Sequence, residues 1–317
     1  MELPAYLKTL YRHWPHHQDT SAAMLRAENV CADEVLWRNM EYFIEERMRV
    51  WEKKTLGGEP PYTEDPILAM YRFCNIFREF DRQTIEFHTI LNPLRDDFPL
   101  WLLNMFYLRM VARTETARGV GLLSFSESDN KHFYERLMAS ARPRYGTPYV
   151  FPVSVILKSR TPTREKFIAH YLPSVMNSIA QEVATWDRLS VYEGVHRILP
   201  LFGFNLKFLW TEVLIDVAYQ YPARVDLFGR FPVGPGSLPT MKRVDSHMDP
   251  TCLVAMLAQV PFQTGLTYER TPLLLSAENW EGIGCEFRKY TNLSQGKGRK
   301  RKFMREAAGP FGPAARC

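Results

Sequence analysis

From Asp33 to Lys54 the apolar residues Val35, Leu36, Met40, Phe43, Ile44 and Val50 recur mostly at three- and four-residue steps. This constrains the fold most, because such spacing lines one face of a helix and cannot line one face of a strand. Gly57-Gly58-Glu59-Pro60-Pro61 then breaks the pattern. A second helix is expected after Thr63, with Asp65-Pro66 at its entrance and apolar residues from Ile67 to Phe80. Leu91 to Arg113, with Trp101, Leu102, Phe106 and Leu108, predicts a core helix. Helical periodicity returns over 164–189 and 190–198, then from Phe204 to about Tyr219, near Pro250–Gln259 and over Ser276–Tyr290. Residues 138–165 hold Pro143, Gly146, Pro148 and Pro152 around the β-branched run 150–156. They read as a loop with one or two short strands. Residues 222–250 read as loop.

A chain of 317 residues, 46% hydrophobic and 24% charged, buries a core without disulfides or a structural metal. It is expected to form one large helical domain over 1–305, or two interlocked helical lobes, with a disordered Ala/Gly/Pro-rich tail over 306–317. The five cysteines form no CxxC pair, which argues against a zinc site and fits a reducing cytoplasm. No stretch approaches the ~18 apolar residues of a membrane span, and no secretory signal opens the chain. The net charge is +5, with Lys297, Arg299, Lys300, Arg301 and Lys302 concentrated near the C-terminus. That run is either a solvated tail or an arm that contacts phosphates.

Three stretches carry candidate chemistry. In the first, the Leu199-Pro200-x-x-Gly203 turn enters a helix, and Val225-Asp226 follows. It resembles the hairpin of helix-hairpin-helix DNA glycosylases, where turn amides bind a phosphate and an aspartate follows on the next loop. Leu201 stands where that pattern prefers glycine. Lys207, one turn into the following helix, is a candidate phosphate contact. In the second, Arg72, Asn75, Arg78 or Glu79, and Arg82 fall at three- and four-residue steps. On a helix they form either a solvated face with internal ion pairs or an anion-binding strip. The third is Cys285-Glu286-Phe287-Arg288-Lys289-Tyr290 with the basic run after it. There an aromatic ring either stacks on a base or packs in the core. Asp245, His247 and Asp249 read as a polar loop and not as a metal site.

The segments ERxxxWEKKxxGGxPPxTxDPIL, YRFCNxFREFDR, LPxxG-helix-Asp, VGPGS and CEFxKY with its GKGRK tail together resemble one family. It is the alpha-glutamyl/putrescinyl thymine pyrophosphorylases of phages, related to the helical domain of 5-hydroxymethyluracil DNA kinases. The resemblance covers about residues 33–305. It implies a mainly α, DNA-glycosylase-like (helix-hairpin-helix) fold with a few short strands and long loops. It implies a transferase that displaces pyrophosphate from pyrophosphorylated 5-hydroxymethyluracil in double-stranded DNA, using an amino acid or polyamine, in a bacterial host's cytoplasm. On this reading Arg47, Arg72, Arg78, Gly203, Lys207, Lys289, Lys297, Arg299, Lys300 and Arg301 contact pyrophosphate or DNA phosphate. Asn75 orients a polar group, and Asp226, or else Asp216, is the base. The residues demand no cofactor, although pyrophosphate would accept Mg²⁺. No GxxxxGK[ST] run exists, which argues against a P-loop kinase. A glycosylase that excises a modified base and a non-enzymatic DNA-binding protein are the alternatives.

Overall fold

The computed structural model describes residues 1–11, 25–146 and 151–302, and these are mainly helical. The expected tail over 306–317 lies outside the described residues. Two compact units emerge, each assembled from discontinuous segments. Unit 1 holds residues 1–3, 16–78 and 233–317, and unit 2 holds 4–15 and 79–232.

Unit 1 begins with the Glu34–Thr55 helix that the apolar spacing predicts. Asp33 caps it by accepting the Leu36 N–H at 2.9 Å, and Gly57 at φ 76° follows its end. Its buried face carries Met40, Phe43, Ile44 and Arg47. Trp37 stacks on Trp280 at 5.6 Å, a residue of the Ala277–Ser294 helix. That helix opens with a capping box between Ser276 and Asn279. It packs against the helices Leu238–Val244, Pro250–Leu257, Pro66–Met70 and Glu34–Thr55. The Leu238–Val244 helix falls in a stretch expected to be loop. A short antiparallel pair, Thr267–Tyr268 with Thr271–Pro272, completes the unit.

The expected second helix is a correction. Only Pro66–Met70 is helical; 71–77 are non-helical, and a 3₁₀ turn spans Arg78–Phe80. Arg82 opens a separate helix, Arg82–Leu91, and pairs there with Glu86 at 3.1 Å. The polar stripe along one helix therefore does not exist.

In unit 2 the Phe98–Val111 helix is buried along almost its whole length, as expected of a core helix. It packs against the helices Leu172–Ala184 and Lys207–Gln220. The run at 153–158 is a short helix and not a strand, a second correction. The only strands in this unit's described residues, Leu189–Ser190 and Val225–Asp226, are parallel, with Ser190 opposite Asp226. No helix among the described residues is long and apolar enough to cross a membrane.

Candidate functional site

In unit 1 three stretches distant in sequence converge. Arg47 lies one helical turn after Phe43 and is buried with it. Its Nη2 donates to the carbonyl oxygens of Phe73 and Cys74, both at 3.1 Å. Those acceptors would bond internally in a helix; here a guanidinium satisfies them, so the backbone can leave the helix without orphaned groups. The N–H of Cys74 donates to Glu286 Oε2 at 3.2 Å.

Glu286, on the Ala277–Ser294 helix, is the hub. Lys289, one turn along, donates to its Oε1 at 2.6 Å. Lys300, beyond the helix, donates to its Oε2 at 2.6 Å. The Lys300 ammonium also sits 4.3 Å from the Phe73 ring centroid. The basic run then lies against the chain: Arg72 N–H donates to the Arg301 carbonyl at 2.9 Å, and Tyr71 and Lys302 form an antiparallel bridge. Residues 300–302 are thus tied down by one strand-like rung and one ion pair. Burial alone would raise the Glu286 carboxyl, but the Lys300 and Lys289 ammonium groups outweigh it and hold the group below the ordinary range. Burial would lower Lys289, and the Glu286 carboxylate reverses this and raises it.

An aromatic wall flanks the hub. Phe43 meets Phe73 and Phe287 at 5.8 Å and Tyr290 at 5.3 Å. The Tyr290 and Tyr42 hydroxyls donate to Asp65 Oδ2 at 2.7 and 3.2 Å. Asp65 Oδ1 meanwhile caps the Pro66–Met70 helix through the Ile67 and Leu68 amides. Thr63 joins this network, donating to Glu46 Oε2 at 2.5 Å. One carboxylate with two ammonium groups leaves one net positive charge beside aromatic faces. Such a patch suits an anion attached to a ring.

The named residues divide as follows. Lys289 and Lys300 meet directly on Glu286, and Arg72 and Arg301 meet through their backbones. Asn75 and Arg78 lie on the non-helical stretch and the 3₁₀ turn, half-buried. Arg47 holds main-chain carbonyls. Lys297 and Arg299 are exposed, the former with Nζ 3.3 Å from Gln295 Oε1. Glu286 itself was missed as a site residue. Its Glu-x-x-Lys spacing with Lys289 is visible in the sequence, but the partnership with Lys300 is not.

In unit 2 Gly203, at φ 81°, closes the Val191–Phe202 helix, its N–H reaching the Leu199 carbonyl at 3.0 Å. Left-handed backbone at this turn favours glycine. Lys207 opens the Lys207–Gln220 helix, its ammonium 5.6 Å from the Tyr192 ring centroid. The Tyr192 N–H donates to the Arg230 carbonyl, just after Asp226. The Asp226 side chain is 20% exposed; its Oδ1 accepts the Phe228 N–H at 3.0 Å and faces Arg188 at 3.5 Å. Asp216 is fully buried instead. Arg109 Nε and Nη2 grip its two oxygens at 2.6 and 2.5 Å, and His88 Nε2 lies 3.1 Å from Oδ1. That carboxylate has no solvent access and is paired on both sides.

Asp245 Oδ1 accepts the His247 and Met248 amides, and Asp249 caps the Pro250–Leu257 helix. Among the described residues no His, Cys, Asp and Glu side chains cluster so as to hold a metal.

The chain is mainly helical, and its YRFCNxFREFDR and CEFxKY stretches, with the basic run, meet at one cationic, aromatic-walled patch. Residues 34–299 match the family described as "5-hmdU DNA kinase, helical domain", and the chain belongs to that family. It is 29% identical over 175 residues to the 5-hmdU DNA kinase of Bacillus phage SP10. The match covers 50% of this chain and 27% of that protein, so it spans about a quarter of the relative's length. No solved structure matches the chain.

Proposed function

We propose that the chain is a DNA base hypermodification transferase. It displaces pyrophosphate from pyrophosphorylated 5-hydroxymethyluracil in DNA with the amine of an amino acid or polyamine. The observation that carries this reading is the meeting, on Glu286, of the YRFCNxFREFDR stretch with CEFxKY and its basic tail, two of the segments that resemble the thymine pyrophosphorylases. The relative's name, a kinase for 5-hmdU in DNA, supports DNA bearing 5-hydroxymethyluracil as the polymer acted on.

The chemistry is economical. The C5 methylene is allylic to the pyrimidine ring, so the ring assists departure of the leaving group. The ammonium nucleophile gives a proton to a carboxylate, its nitrogen bonds to the methylene carbon, and the C–O bond breaks. The electron pair leaves on pyrophosphate, and a second proton passes from the new ammonium to solvent. Lys289, Lys300 and Arg72, with Arg78 and the exposed Lys297, Arg299 and Arg301, neutralise pyrophosphate or DNA phosphate. Asp226 is the base, because its carboxylate is accessible and that of Asp216 is sealed. Base flipping would expose the methylene for reaction.

One observation favours a second reading, a glycosylase of helix-hairpin-helix type. Unit 2 has a left-handed Gly203 between two helices, with Lys207 at the start of the second and its ammonium over the Tyr192 ring. One experiment separates the readings: pyrophosphorylated DNA is incubated with a panel of amino acids and polyamines, and its nucleosides are weighed by mass spectrometry. A nucleoside heavier by the nucleophile is expected. An abasic site would assign the glycosylase, and bound but unaltered DNA would assign a binding protein. Asp226→Asn is expected to abolish product, and full turnover in that variant would remove Asp226 as base.

A further inference from the structure

Unit 2 contains a cavity of about 200 Å³ lined by Met110, Phe151, Pro152, Arg164 and residues 205–209. Among the described residues its walls are apolar except at Arg164, Asn205 and Lys207, and no acidic side chain lines it. The Arg164 guanidinium stacks on Tyr145, 3.8 Å from the ring centroid, and faces Phe151 at 5.2 Å. Nη2 donates to the Met110 carbonyl oxygen. Nε is buried without a hydrogen-bond partner. The adjacent carboxylate, Glu165, is turned to Arg144 at 3.7 Å. Among the described residues Arg164 forms no ion pair, and its half-buried guanidinium is flanked by the Tyr145 and Phe151 rings, whereas cations withdrawn from water are ordinarily paired. Burial holds this guanidinium below its ordinary pKa, against the opposing pull of Tyr145 and Glu165. The Tyr145 contact holds the guanidinium beside the cavity, and a planar fork is the side chain best suited to a phosphate. Lys207 supplies a second, exposed cation at the rim.

We propose that this cavity binds the phosphate group of a small molecule, either free pyrophosphate or a nucleotide, with Arg164 as the fixed donor and Lys207 as the second cation. The volume is below the roughly 300–1,000 Å³ of pockets that enclose drug-sized ligands. It suits one small anion or one end of a nucleotide. Binding here is measured directly, so the test stands whether or not the chain carries out the transfer proposed above.

The full chain would be titrated calorimetrically, at fixed ionic strength, with inorganic pyrophosphate, inorganic phosphate, thymidine 5′-monophosphate and glutamate. Saturable binding of pyrophosphate or the nucleotide is expected, tighter than that of glutamate. It should weaken at least about tenfold in Arg164→Lys, which keeps the charge and loses the fork, and several-fold in Lys207→Ala. Tighter pyrophosphate assigns the free anion as ligand; a tighter nucleotide assigns the nucleotide. Should Arg164→Lys fail to fold, Lys207→Ala and Asn205→Ala, both at exposed positions, carry the test. The proposal is overturned if neither phosphate compound binds, if glutamate binds tightest, or if the folded variants bind as the native chain does.

Discussion

Replacing Asp216 by asparagine tests most sharply whether that carboxylate is structural. Asp216 and Arg109 are 0% and 2% exposed, and the two-point grip at 2.6 and 2.5 Å leaves no room for water between them. Arg109 also donates to the Thr84 hydroxyl at 3.2 Å. On the other side, the Gln220 amide donates to His88 Nδ1 at 3.0 Å, so Nε2 carries the ring hydrogen and donates to Asp216. Asparagine has nearly the same shape, but it carries no charge and presents an NH₂ to a guanidinium or to the His88 N–H. Removing one member of a buried pair costs about 3–5 kcal/mol, since the other charge is stranded. Asp216→Asn is therefore expected to lose about that much in urea titrations followed by tryptophan fluorescence and circular dichroism. Burial alone would raise the Asp216 carboxyl, but Arg109 and His88 outweigh it and hold it far below the usual range. A depressed carboxyl contributes stability above its unfolded pKa of about 3.9 and loses it only below. The deficit of Asp216→Asn should thus persist at neutral pH and narrow as pH falls below about 3.9. The double variant Arg109→Met/Asp216→Leu should recover much of it, because no charge remains to strand. A loss under about 1 kcal/mol with turnover abolished would refute the structural reading and return Asp216 to catalysis.

Glu286→Gln should loosen the basic run, raising amide exchange at Cys74 and Arg72 and costing about 1–3 kcal/mol, with the half-exposed Lys289 contributing least. Its pH dependence follows from the lowered carboxyl: the gap to the native chain is constant above about pH 5 and narrows as pH falls below the unfolded value of about 4.3. Gly284→Ala would put a methyl 2.3 Å from Ser237 Oγ and 2.5 Å from Met241 Cε, costing about 1–3 kcal/mol in urea unfolding; a change under about 0.5 kcal/mol would mean that the 233–237 loop yields. Gly282→Ala, on the same helix with nothing within 4 Å, should instead stabilise by about 0.5–1 kcal/mol.

Local chemistry made part of this architecture legible. The Glu34–Thr55 helix follows from apolar spacing after Asp33, and the Phe98–Val111 helix from the strongly apolar stretch around Trp101, Leu102, Phe106 and Leu108. Residues 66–80 misled for a physical reason. Their apolar content is real, but Phe73 is held by Phe43 and by Arg47 bonding its carbonyl, so tertiary contacts override the local period. The 153–158 run misled in the opposite sense: β-branched residues favour strands only where a partner strand exists. Aspartates 216 and 226 look alike in sequence. Only the positions of Arg109 and His88, 107 and 128 residues from Asp216, separate a buried ion pair from an accessible carboxylate. The Lys300–Glu286 contact spans 14 residues across a helix end, which no period reports.

The split composition of unit 1 also dictates an order of events during synthesis. Residues 79–232 are nearly sufficient for unit 2 and leave the ribosome as one stretch. Unit 1 waits: Arg47 and Cys74 are made early, but Glu286 and Lys300 arrive more than two hundred residues later. Until then the Cys74 N–H lacks its Glu286 acceptor and the Phe73 ring its Lys300 contact. Domains generally fold as units while the chain grows. The patch around Glu286 is therefore closed by the last described residues of the chain, and a product truncated near residue 290 would retain a complete unit 2 sequence without Lys300 to close that patch.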